Sequence, residues 1–155
     1  MNDINYFDRQ VIVLQGILDI YAQQQQRVCA VGTTCIGKSY LLEHLRGVSD
    51  MDKLLFPLLS EQEQAYVCQK PWTKEIGENM TRLAKERIQI RPGNAVFGTV
   101  VLNCDRLIHL RISDTLLTQR TQARNVSLDD AKNMAKQIEY EVRQSKIQYI
   151  EFLLG

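Results

Sequence analysis

Apolar positions along this chain recur at helical spacing in some stretches and in short unbroken runs in others. Over residues 5–24, Val13, Ile17, Ile20 and Tyr21 fall on one face with Leu14 and Leu18 beside it, the pattern of an amphipathic helix. Glutamines 23–26 lead into a short buried strand, RVCAVG. From Lys38 the residues Leu41, Leu42 and Leu45 continue a second helix, which stops at Gly47. VSDMDKLLFPLL predicts a brief strand closing on Asp50 and Asp52. Ser60 stands three residues before Glu63, a capping box that opens a helix which Pro71 breaks. Ile76, Met80, Leu83, Ala84 and Ile88 mark a further helix, ended by the turn RPGN.

Two β-branched-rich runs follow, AVFGTVVL and RLIHLRI, joined by NCD. Short apolar runs bounded by turn residues read as buried parallel strands. SDTLLTQRTQAR starts a helix capped by Ser113 or Asp114, and Ser127 caps a long helix with acidic residues in its first turn. IQYIEFLL either continues that helix or forms a last strand. Strands alternating with helices predict one α/β domain over residues 1–155, three-layered α/β/α around a mainly parallel sheet.

Composition is that of a globular chain, with 45% hydrophobic and 24% charged residues. A net charge of +1 without any Lys/Arg block argues against a nucleic-acid partner. No stretch approaches the roughly 20 apolar residues of a membrane span, and the first residues lack a signal-peptide pattern, so the expected location is cytoplasmic. Cys29, Cys35, Cys68 and Cys104 show no metal-ligand spacing and read as reduced, mostly buried thiols.

The sharpest signal is GTTCIGKS, residues 32–39, a GxxxxGK[ST] loop between an apolar strand and an amphipathic helix. Gly32 and Gly37 let the backbone wrap phosphates without a Cβ in the way. The loop from Gly32 through Thr33, Thr34, Cys35, Ile36 and Gly37 to Lys38, Ser39 and Tyr40 is therefore the expected nucleotide site. Lys38 would reach the β- and γ-phosphates and the Ser39 hydroxyl would hold Mg²⁺. The loop reads phosphates and not the base, so GTP is not excluded. The base-reading NKxD and the DxxG of a GTPase switch do not occur, nor does the Asp-Glu dipeptide of AAA-type motors.

With SDMD at 49–52 and LIHLRISDTLLTQRTQAR, the loop resembles the P-loop kinases of the nucleoside- and shikimate-kinase-like group. Gln119, Arg120, Arg124, Ser127 and Gln137 are similar to the lid region of dephospho-coenzyme A kinase. The resemblance implies the P-loop NTPase fold, a lid near residues 117–130, ATP and Mg²⁺, and a small-molecule acceptor. It places a carboxylate of Asp50 or Asp52 across from the loop, to take the acceptor's proton or to hold the metal's water shell, with Asp50 the nearer to the strand end. Two carboxylates two apart on a strand point the same way, although such a cluster also suits a solvated turn. It also implies that Arg120 and Arg124, four apart on a helix, clamp the transferring phosphoryl group. Asp105 fits a Walker-B-like carboxylate less well than a loop residue before the next strand. Trp72 and Lys74 lie where an acceptor flap would be. Trp72 serves packing equally well there, and Lys74 and Arg82 serve equally well as solvated charges. His44 and His109 read as packing or surface histidines.

The expected activity is transfer of the γ-phosphoryl group of ATP to a hydroxyl or phosphate of a small metabolite. The acceptor would be nucleoside- or nucleotide-like, dephospho-coenzyme A included, or a shikimate- or gluconate-like polyol. The alternative is a nucleotide-binding regulatory module with little turnover.

Overall fold

The structure, a computed structural model, describes residues 6–69 and 73–155. Five strands, β1 (Val28–Val31), β2 (Val48–Asp50), β3 (Ala95–Gly98), β4 (Arg106–Arg111) and β5 (Gln148–Leu153), form one sheet in the order β2-β3-β1-β4-β5. Every neighbouring pair is parallel, with Cys29 of β1 level with Val96 of β3 and Leu107 of β4. β1 and β3 are buried along their whole length, which is why they read as unbroken apolar runs.

Successive strand residues face opposite sides of the sheet, and each side has its own helices. Val28, Ala30, Phe97, Ile108 and Leu110 pack against Leu14 and Leu18 of α1 (Tyr6–Gln23) and Leu41 of α2 (Lys38–His44). Cys29, Val31, Val96 and Leu107 face α3 (Met51–Leu55), α4 (Glu61–Val67), α5 (Lys74–Arg87) and α7 (Leu128–Gln144). The remaining helix, α6 (Asp114–Ala123), links β4 to α7. The result is a three-layer α/β/α arrangement with an all-parallel sheet.

Several local expectations hold for local reasons. Ser60 and Glu63 form a reciprocal capping box on α4, and Arg87 grips the Glu63 carboxylate at 2.6 Å. Ser113, not Asp114, caps α6, and Ser127 caps α7. Residues 148–153 are a strand, separated from α7 by a turn in which Lys146 takes φ 59.

Three expectations need correction. The buried face of α1 is centred on Leu14 and Leu18, whereas Val13 and Ile20 are more than half exposed. The helical period sets an apolar stripe, but the strand contacts choose its centre. Replacement Leu14→Ala should therefore cost about 2–5 kcal/mol in denaturant unfolding, and Val13→Ala less than about 0.5 kcal/mol. The strand expected over AVFGTVVL ends at Gly98. Val100, Val101 and Leu102 are buried instead in a crossing loop that brings the Val100 carbonyl 3.6 Å from the Cys29 thiol. Finally, Asp50 ends β2, but Asp52 lies in the first turn of α3 and not on a strand.

Candidate functional site

All five strands point their C-terminal ends to one edge, and β1 sits between β3 and β4 at the centre of that edge. In open parallel sheets this is where ligands bind. The loop of residues 32–37 leaves β1 there. A Cβ on Gly32 would come within 2.9 Å of Ile36 Cδ1 and 3.0 Å of Leu110 Cβ, so a larger residue here would require Ile36 and Leu110 to shift. Gly37 takes φ 103 just before α2, a left-handed conformation that glycine adopts without strain.

Lys38 opens α2 and turns back over the loop, its Nζ donating to the carbonyls of Gly32 at 2.6 Å and Thr33 at 3.0 Å. Burial lowers its pKa to about 8, and the charges of Asp52 and Asp50 oppose that shift. The Asp52 carboxyl is raised above the usual carboxylate range by desolvation and by Asp50, with Lys38 acting the other way. Asp50 Oδ1 accepts from the Asp52 backbone N–H at 3.0 Å and so caps α3. The two carboxylates do not share one orientation as strand residues would, because the chain turns into a helix between them. Asp52 lines the cleft, and Asp50 is not among its lining residues.

Arg120, from α6, donates through Nη1 to the Ile36 carbonyl at 2.7 Å, which pins that helix to the loop. Burial and the adjacent Arg124 charge lower its pKa. Arg124 is the exposed C-cap of α6 and lines the same cleft. The segment expected as a lid is the end of α6, a turn through Asn125 at φ 54, and the start of α7. Gln119 is exposed on α6, and Gln137 on α7 bonds Glu141 at 3.3 Å.

Lys38, Ser39, Asp52, Arg120 and Arg124 thus line one cleft of about 1070 Å³. Thr34, Cys35, Gly37 and Tyr40 also contribute to its wall. Tyr40 donates its hydroxyl to Asp8 of α1 and stacks on His44 with ring centroids 4.0 Å apart. Asp105 lies at the opposite end of the sheet, where it holds Arg27 at 3.1 Å just before β1. Lys74 and Arg82 are exposed and pair with Glu78 and Glu86 along α5. His109 is buried on β4, with its pKa lowered by desolvation. Pro71 and Trp72 lie outside the described residues.

Sequence reasoning missed the support of the loop. Thr33 is buried and donates to the Ala131 carbonyl of α7 at 2.6 Å. Cys35 packs with Leu117 and Ala131. No local signal marks these contacts, since the partners are about a hundred residues away in the chain. Thr33→Val should leave the fold intact but lower unfolding stability by about 1–2 kcal/mol, read in urea.

The donor set suits Mg²⁺, which keeps several waters and substrate oxygens and asks for only one or two protein groups. Ser39 and Asp52 both face the cleft and supply that number. Among the described residues no group of three or more His, Cys, Asp or Glu side chains forms a dedicated metal cage. Among the described residues, too, no helix is long and apolar enough to cross a membrane. Compared with protein-family models and with curated proteins, the chain matches none.

Proposed function

We propose that this chain is a P-loop phosphotransferase that moves the γ-phosphoryl group of ATP, with Mg²⁺, to a hydroxyl group of a small molecule. The observation that carries the reading is convergence. A phosphate-type loop, one carboxylate and two arginines, spread over residues 32–124, line a single cleft at the C-terminal edge of the sheet.

Each group has a task that its chemistry suits. The loop N–H groups and Lys38 hold the phosphates. Ser39 and Asp52 hold Mg²⁺ or its water shell, and the metal neutralises phosphate charge when bound. Asp52, on the wall of that cleft, would also accept the acceptor's hydroxyl proton. Arg120 and Arg124 offer planar donors to the equatorial oxygens of the transferring group. Phosphoryl transfer needs little more than such positioning and charge stabilisation.

The test is ADP release from ATP·Mg²⁺ against pooled nucleosides, nucleotides, dephospho-coenzyme A and polyols. An acceptor-dependent rate well above background supports the kinase reading. A flat response with tight nucleotide binding supports a regulatory module instead.

A further inference from the structure

A second pocket lies between β4 and α7 and shares no lining residue with the cleft. It encloses about 350 Å³, room for a small ligand. His109 and Arg111 enter it from one face of β4, two residues apart. From α7 come Lys132, Ala135, Lys136 and Glu139, a stripe at helical spacing. Two of the pocket's charges are already engaged, Arg111 with Glu151 at 3.2 Å and Glu139 with Arg143 at 2.7 Å. Lys132 and Lys136 make no ion pair among the described residues, and neither does Asp114, which lines the pocket from the exposed start of α6. His109 is only 5% exposed, yet it makes no hydrogen bond among the described residues. Glu151 stands 3.9 Å from its Nδ1, beyond hydrogen-bond range. Among the described residues no side-chain nitrogen is both sealed from solvent and unbonded, so the imidazole opens onto the pocket that it lines.

Independently of the phosphotransferase reading, we infer that this pocket is a second ligand site, which takes a small organic oxyanion (a carboxylate or a phosphate monoester) on Lys132, Lys136 and His109. Such an anion gains two ammonium groups one helical turn apart, and the imidazole N–H gains the acceptor it otherwise lacks. Asp114 opposes it, but an exposed carboxylate is screened by water and salt. A cationic ligand would find only Asp114 unengaged, against two unengaged ammonium groups. The organic body would rest on Ile112 and Leu117, the apolar side of the same pocket. The site adjoins the phosphate-type loop from behind. Thr33 and Ile36 line it, and Thr33 is tethered to Ala131, the residue before Lys132.

The experiment is an NMR titration of the full chain with phenyl phosphate and with benzoate, read at the histidine Cε1–H signals. The chain has two histidines. His109 reports the pocket, and His44, exposed on α2 after the loop, reports the other site. A His44→Gln variant assigns the two signals. At least one probe should shift the His109 signal saturably, and the tighter binder identifies the head group. In the Lys132→Gln/Lys136→Gln double variant the dissociation constant should rise about 10-fold or more. Lys136→Gln alone, at an exposed position that the fold tolerates, should raise it about threefold. In Lys38→Ala the His109 response should persist, because it does not originate at the loop. A His109 signal that neither probe moves overturns the inference. So does a response that the lysine substitutions leave unchanged, or one that disappears in Lys38→Ala.

Discussion

Replacement Lys38→Ala is expected to lower kcat/KM for phosphoryl transfer about 10³-fold, ~4 kcal/mol of transition-state stabilisation. The fold should survive, because among the described residues the Lys38 ammonium bonds to two loop carbonyls, which water is able to satisfy at this half-buried position. The wild-type pH profile carries a second readout. With a pKa of about 8 in the free protein, Lys38 is charged below that pH and neutral above it. If Lys38 holds the phosphates as proposed, they would bind its charged form, and log kcat/KM should fall as pH rises through about 8. Bound phosphates favour the ammonium, so the same limb in kcat should move to higher pH. In Lys38→Arg, whose charge does not titrate in this range, the limb should vanish. Full activity in Lys38→Ala would remove the loop from the mechanism.

Asp52→Asn should reduce kcat about 10²–10³-fold while nucleotide affinity, measured by titration, stays within about threefold. Asp50→Asn should behave nearly as wild type, because an asparagine side-chain oxygen still accepts from the Asp52 N–H and preserves the cap on α3. Asp52 must be ionised to accept a proton, and its folded pKa is raised. Transfer should therefore rise with pH through that raised value, then decline above about 8 with Lys38, a bell whose acid limb disappears in the Asp52→Asn variant. Loss of turnover in Asp50→Asn alone would return the role to Asp50.

That reversal of emphasis shows where a sequence pattern stops. Asp50 and Asp52 read either as neighbours on one strand or as a solvated turn, because β2 is only three residues long, VSD, and the local pattern does not mark where it ends. The helix that starts at Met51 is only five residues long, too short for periodicity to expose it. The α1 stripe failed similarly, since Leu14 and Val13 are both compatible with an apolar face and only the packing against Val28 and Ile108 selects Leu14. Arg120 and Arg124 were legible as one helix face, but not the bond from Arg120 to Ile36, 84 residues away.

By itself, the sequence determined what depends on contiguous residues: the Gly32–Ser39 loop between strand and helix, the caps at Ser60 and Ser127, and the α/β alternation. These are set by backbone conformation and hydrogen bonds that close within a few residues. Only the tertiary structure decided the strand order, the carboxylate that faces the cleft, the Thr33–Ala131 tether and the pocket between β4 and α7. Those features depend on side-chain packing between elements far apart in the chain, where many sequences and registers satisfy the same local pattern and burial alone selects among them.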